Sequence, residues 1–269
     1  MTGRADDRVL TLGRALRGTT YWFTSYRRSW RRSLVPSVIG PVLDLIVMGK
    51  VLGSLVADRP GAVERLGGVD YLSFVGPAVV AVTALVTAST EGTSPVYHAM
   101  TSTRTYAAMR ATPLTVPEIV VGHLVWMAVR VAVAAALVAA FLAVLGGTHS
   151  WQAVLLVPAN VATGMAVACG VAAFAARQRT SGILLAWQRF GVVPMMLFAG
   201  VYFPVSVLPG AVQAVAKLTP LWHGIELSRA LAAGTATVDG ALPHLAYLAA
   251  LAVAGTVVTV RTFLDRLAD

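Results

Sequence analysis

Apolar residues along this chain come in long unbroken runs rather than in alternation or on one recurring stripe. Six runs, at residues 34–56, 71–90, 119–145, 151–176, 183–203 and 241–260, each reach the roughly 20 helical residues that cross a hydrocarbon core of ~30 Å. A helix apolar on every side is surrounded by protein or lipid rather than water. The pattern therefore predicts an all-α integral membrane fold with six transmembrane helices.

The connections are uneven. Residues 91–118 and 204–240 are too long for turns, and long loops inside compact domains usually carry a function. In the second, Pro204 and Pro209 open the segment and Pro220 breaks it. Val212, Val215 and Leu218 on one side, and Leu221, Ile225, Leu227 and Leu231 on the other, predict two short helices. They form a helical hairpin dipping into the outer leaflet.

Residues 8–33 interleave Arg8, Arg14, Arg17, Arg27, Arg28, Arg31 and Arg32 with Tyr21, Trp22, Phe23, Tyr26 and Trp30. Arginine mixed with interfacial aromatics reads as an amphipathic helix on the headgroups; the alternative is a disordered basic tail, in which the aromatics would be idle. The stretch does not read as a cleaved signal peptide, because the basic region is long and Asp44 and Lys50 interrupt the apolar run.

Composition agrees. Hydrophobic residues make up 57% of 269 positions and charged residues 12%, about half the share of a water-soluble domain. The net charge of +9 does not read as nucleic-acid binding, since the basic residues sit at the edges of apolar runs rather than along one stripe. With the N-terminus inside, the predicted cytoplasmic parts hold fifteen of the 21 basic residues and the outer loops hold four, Arg59, Arg65, Lys217 and Arg229. The positive-inside rule then places both termini in the cytoplasm of a bacterial plasma membrane. The expected organisation is a cytoplasmic interfacial helix at 1–33, a six-span domain at 34–260 and a cytoplasmic tail at 261–269.

Motifs for catalysis are missing. Gly49-Lys50 lacks the rest of a phosphate-binding loop, and no nucleophile elbow occurs. The five histidines (His98, His123, His149, His223 and His244) and the single Cys169 make no metal-ligand pattern. The chain reads as a non-enzyme with no metal and no cofactor of its own. Charges in or near spans are the candidate chemistry. Asp44, Lys50, Glu91 and Arg130 each cost roughly 2.5–3.5 kcal/mol at a helix centre unless they face protein or water. They line a polar path or form structural ion pairs. Gly49-x-x-x-Gly53 and the Ala162, Ala166, Gly170 repeat mark close helix packing, within one subunit or between two.

Three stretches resemble the ABC-2-type permease family, the membrane subunits of bacterial ABC exporters. They are YLSFVGP at residues 71–77, ATPLTVPEIVVGHLVW at 111–126, and FAGVYFPVSVLPGAVQAVAKLTPLWHGIELSRAL at 198–231. The closest likeness is to the branch of nodulation-factor (lipo-oligosaccharide) export and daunorubicin-type drug efflux permeases. This resemblance implies a homodimer of six-span subunits with two copies of a separate cytoplasmic ATPase that binds ATP and Mg. It also implies an ATPase-coupling helix around residues 97–110, beginning at Tyr97 and His98, with Met100, Tyr106 and Met109 as docking anchors and Arg104 and Arg110 as polar contacts. Phe198, Tyr202 and Phe203 form an external gate or an aromatic belt, and His223 and Glu226, three apart on one helix face, hydrogen-bond and brace the hairpin. The implied function is outward movement of an amphiphile, drug-like or lipid-linked glycan. The alternative is a proton-coupled secondary transporter using Asp44 or Glu91.

Overall fold

The computed structural model describes residues 12–57, 64, 66 and 68–268. Arg8, Arg59 and Arg65, used above for charge placement, lie outside them.

Eleven α-helices build the described chain: α1 (Leu12–Asp44), α2 (Gly53–Ala57), α3 (Tyr71–Met100), α4 (Thr105–Arg110), α5 (Val116–Val144), α6 (Leu156–Arg177), α7 (Gly182–Trp187), α8 (Val193–Phe198), α9 (Gly210–Lys217), α10 (Pro220–Ala233) and α11 (Val238–Ala268). Two π-helical stretches, Leu45–Leu52 and Gln188–Val192, join α1 to α2 and α7 to α8 without a break. Among the described residues, five helical segments are long and apolar enough to cross a membrane, and a sixth, Gly182–Phe198, is apolar but shorter. At 1.5 Å per residue its 17 residues extend only about 25 Å, the lower limit for a span. The expected fifth run to residue 203 ends early because Gly200, in a left-handed conformation, turns the chain after Phe198.

At the N-terminal side the helix is continuous. No boundary separates an interfacial helix from the first span; α1 begins at Leu12 and continues through Pro36 and Pro41 into the π stretch. The loop at 91–118 is likewise mostly helix, because α3 runs ten residues past its predicted end at Thr90. Capping fixes the next start: Thr115 and Glu118 exchange backbone and side-chain bonds in a capping box at the head of α5.

Helix α3 is the hub of the bundle. Within its most apolar window 89% of residues are buried, against 11% for the first and last spans. Close approach depends on small residues. Gly49 and Gly53 face Leu72 and Tyr71 of α3, so this pair packs inside the subunit. In α6, Gly170 has open space around it, and the tight contact is made from the other side, where a Cβ on Gly255 of α11 would lie 2.8 Å from Cys169 Cβ. The predicted hairpin is present as α9 and α10, with Thr219 capping α10 and Pro220 at its first turn. It docks through Gly224 against Thr163 and through Asn160 Nδ2, which donates to Ser228 Oγ at 2.9 Å.

Candidate functional site

Two ends of the bundle carry the predicted functional residues. At one end, α4 bridges α3 and α5. Its six residues present two faces. Ala107 and Ala108 point outward with Arg104 beside them, whereas Thr105, Tyr106 and Met109 point inward. Tyr106 has no exposed surface. Its ring lies 4.8 Å from Phe263 of α11 and 6.0 Å from Trp22 of α1, and its hydroxyl meets His123 Nδ1 of α5. Burial pushes that hydroxyl well above its ordinary pKa, so it donates the proton. His123 stacks on Trp22 at 3.9 Å. Tyr106 is thus a plug joining the short helix to three longer ones.

Tyr106 and Met109 therefore cannot be contact anchors for another protein in this conformation. An apolar face on a short helix buries itself in its own bundle when three helices surround it. Tyr97 and Met100 are half-buried, and the Tyr97 hydroxyl donates to Arg179 O at 3.2 Å, tying α3 to the turn before α7. Left on the surface are His98, Ser102, Thr103, Arg104, Ala107 and Ala108, with Arg110 at the edge. Arg104 holds φ 49°, the one non-glycine with positive φ among the described residues.

Between the two ends, Arg130 Nε donates to Glu91 Oε1 at 3.0 Å, and Arg130 Nη1 donates to the Tyr26 hydroxyl. The guanidinium also lies 4.2 Å from the Tyr26 ring centre. Glu91 and Arg130 are thus an ion pair held by α1. Asp44 is half-buried and Lys50 exposed, and no ion pair joins them among the described residues.

At the other end a cavity of about 590 Å³ opens beneath the hairpin, lined by Ser73, Phe74, His149, Gln213, Trp222 and Glu226 among others. Arg229 clamps its wall: Nη2 donates to Gly200 O at 2.6 Å, Nε to Phe74 O at 3.1 Å and Nη1 to Glu226 at 3.4 Å. Its guanidinium sits 3.7 Å over the Phe74 ring. Burial pushes the Arg229 pKa down to about 10, and the charge persists at neutral pH.

The expected bond between His223 and Glu226 does not form. Each residue finds a partner on another element or further along its helix: Glu226 takes Arg229, and His223 Nδ1 lies 2.9 Å from His244 Nδ1 of α11. Tyr247 stacks on His223 at 4.0 Å and its hydroxyl donates to Leu218 O. Phe198 is exposed, while Tyr202 and Phe203 are half-buried, and Tyr202 O accepts from the Tyr71 hydroxyl at 3.2 Å.

Sequence reasoning missed Trp22, His123 and Phe263 because nothing in their spacing marks a shared socket. It counted Arg229 only as an outer-loop charge, although a signal for a structural role existed: an arginine inside an apolar hairpin helix, three residues after Glu226.

A profile of the ABC-2 type transporter family matches residues 19–232. Nodulation protein J of Rhizobium leguminosarum bv. viciae is 32% identical over 79% of this chain and 82% of its own. Nodulation protein J of Rhizobium meliloti (strain 1021) is 29% identical over 86% and 88%, and that of Bradyrhizobium diazoefficiens 29% over 85% and 91%.

Proposed function

The chain belongs to the ABC-2 type transporter family, and from that premise we propose that it is the permease subunit of an ATP-driven exporter, coupled to its ATPase through α4. The observation that carries this is the two-faced α4, whose outer face is free while its inner face is plugged by Tyr106 into α1, α5 and α11. A push on the outer face displaces three long helices together, as a packed bundle switches between discrete arrangements rather than deforming smoothly. ATP and Mg belong to the partner ATPase, in two copies. A second copy of this chain covers the weakly buried first span, whose window is only 11% buried. The α4 end faces the cytoplasm, with both termini, and the hairpin faces outward. The cargo is an amphiphile. A lipid-linked glycan is favoured over a drug-like molecule, since the cavity beneath the hairpin gathers the hydrogen-bonding side chains of Ser73, His149, Gln213 and Glu226 beside Phe74 and Trp222.

The test is co-purification with the ATPase encoded beside this chain. Arg104→Glu or Ala108→Trp on the outer face should weaken the complex. Tyr106→Ala should leave the complex intact and uncouple hydrolysis from transport. No association with any ATPase would overturn the reading. Transport that survives ATP depletion and collapses with a protonophore would favour the proton-coupled alternative, with Asp44 the first residue to examine.

A further inference from the structure

A fissure of about 380 Å³ separates α6 from α7 and α8 and reaches Pro220, the first residue of the hairpin helix α10. Its wall on α6 is one stripe. Ala166, Gly170 and Phe174 recur every four residues, and three residues further Arg177 ends the helix on the same face. Ala166 stands near the middle of the apolar segment Trp151–Arg177. From there to Arg177 the helix rises about 16 Å at 1.5 Å per residue, close to the ~15 Å depth of one leaflet's hydrocarbon. Packing at the two ends of α6 fixes the direction. Leu156 meets Leu227 and Leu231 of the hairpin, whereas the turn after Arg177 accepts the Tyr97 hydroxyl at Arg179 O, from the last turn of α3 before α4. Arg177 therefore stands at the α4 surface of the membrane, with Ala166 and Pro220 in its interior.

The fissure opens to the surface of the bundle, because Gly170 is exposed and a Cβ built there meets nothing within 4 Å. Its lining is apolar and contains no acidic side chain. Phe174 and Trp187 frame the Arg177 end, their ring centres 6.3 Å apart. The Trp187 indole donates to Ser89 Oγ of α3 at 2.8 Å, which holds that wall in place. Arg177 and Arg179 are exposed, and neither has an ion pair among the described residues. Between Glu118 and Glu226 the sequence holds no acid, so α6, α7 and α8 carry nothing to offset them. A basic rim at the membrane surface, above an apolar slot that deepens to mid-membrane, suits an anionic lipid in the direction a lipid lies, headgroup out and chain in. We propose that the fissure holds one acyl chain of an anionic phospholipid, the chain passing Phe174 and Gly170 to Pro220 and the phosphate resting on Arg177. The site requires only that the chain cross a membrane; the transport reading adds that the leaflet is the cytoplasmic one.

Native mass spectrometry of the full-length protein, without any ATPase, counts the lipid retained after titration with phosphatidylglycerol or phosphatidylcholine. Phosphatidylglycerol should be held at least tenfold more tightly than phosphatidylcholine, and an excess of inorganic phosphate should not displace it. Arg177→Gln should remove that preference. Gly170→Leu fills the slot from open space and keeps every charge, so it should reduce retention of both lipids. Arg261→Gln, at an exposed arginine of α11 that lines no part of the fissure, should change nothing. Phosphatidylglycerol carrying a photoreactive diazirine at its chain end should crosslink at the deep end, to Ala166, Met195 or Pro220. Crosslinks confined to Phe174 and Arg177 would put the chain the wrong way round and overturn the proposal. If Arg261→Gln weakens binding as much as Arg177→Gln while Gly170→Leu has no effect, the attraction is diffuse surface charge and the site does not exist. If Gly170→Leu spares the lipid but separates two copies of this chain, the fissure is a subunit interface and the proposal fails. Because neither an ATPase nor transport enters the measurement, failure here leaves the transport reading standing.

Discussion

Gly122→Ala should undock the N-terminal helix from the bundle. A Cβ built at Gly122 would lie 2.6 Å from Ala15 O, 3.3 Å from Thr19 N and 3.4 Å from Gly18 C. These are backbone atoms of α1, so no side chain can swing away. Restoring an ordinary carbon–oxygen contact of about 3.3 Å, the near end of the Cα–H···O range, moves α1 outward by about 0.7 Å. The Thr19 hydroxyl bond to Gly122 O, now 2.9 Å, then stretches to about 3.6 Å and ceases to be one. Loss of that bond costs roughly 0.6 kcal/mol by membrane-protein averages, and overpacking typically adds 1–3 kcal/mol. The stack of Trp22 on His123, worth about 0.5–1.5 kcal/mol, opens as well. The sum is about 2–5 kcal/mol, and 2 kcal/mol alone raises the undocked population roughly 30-fold.

Maleimide labelling reads that population. Ala15 is 1% exposed at the seam, and the native Cys169 is buried, so Ala15→Cys supplies a thiol reached only when α1 lifts. Labelling should rise at least 30-fold when Gly122→Ala is added. Gly18→Ala is the control on the same seam: its Cβ meets Glu118 O at 3.9 Å and Gly122 Cα at 4.0 Å, ordinary contact distances, and labelling should not change. A Gly122→Ala protein that folds and labels within twofold of its parent would refute the reasoning.

Two further outcomes follow from the geometry. Arg104→Gly removes a left-handed conformation that costs a non-glycine roughly 1–2 kcal/mol; thermal stability in detergent should hold or rise while ATPase coupling falls, and a lower melting temperature would count against strain at Arg104. The hairpin should loosen in acid. Burial, and then His244, push His223 below its ordinary 6.5, opposed by the bond to the Lys217 backbone, with Tyr247 stacked alongside and Glu226 three residues on along α10. Between the folded pKa and 6.5 the unfolded state binds more protons, so docking weakens as pH falls through that window and the loss is complete below it. The melting-temperature advantage of the native protein over His223→Gln should shrink from pH 7.5 to pH 5, and a constant difference would contradict this.

How much of this was legible in the sequence depends on the distance over which each feature is written. Long apolar runs identify spans because membrane crossing is a local property of about 20 residues. The hairpin was legible for a similar reason, since Thr219, Pro220 and the apolar spacing around them are local. The continuity of α1 was not, because arginines and aromatics give way to apolar residues near position 34 although the backbone helix carries on. Gly49 and Gly53 announced themselves as a motif, whereas Gly122 and Gly255 are lone glycines whose partners are more than 80 positions away. Asp44, Lys50, Glu91 and Arg130 stood out by cost, and only the fold brings Glu91 and Arg130 together across 39 residues. On α4 the sequence displayed Tyr106 and Met109 as anchors but not which way they point, and a six-residue helix has too few positions to reveal its buried side.

The Arg229 clamp has a bearing on how the protein is made. Phe74 leaves the ribosome 155 residues before the arginine that will bind its carbonyl. At 5–20 residues per second, that carbonyl waits about 8–30 s. Through that interval the hairpin that shelters this end of α3 has not been translated, and the local Asp70 cap on Ser73 N holds it. The hub of the bundle is therefore inserted early and finished late. Chains cut short before Arg229 emerge with their central helix complete but the Phe74 end of it still without the clamp.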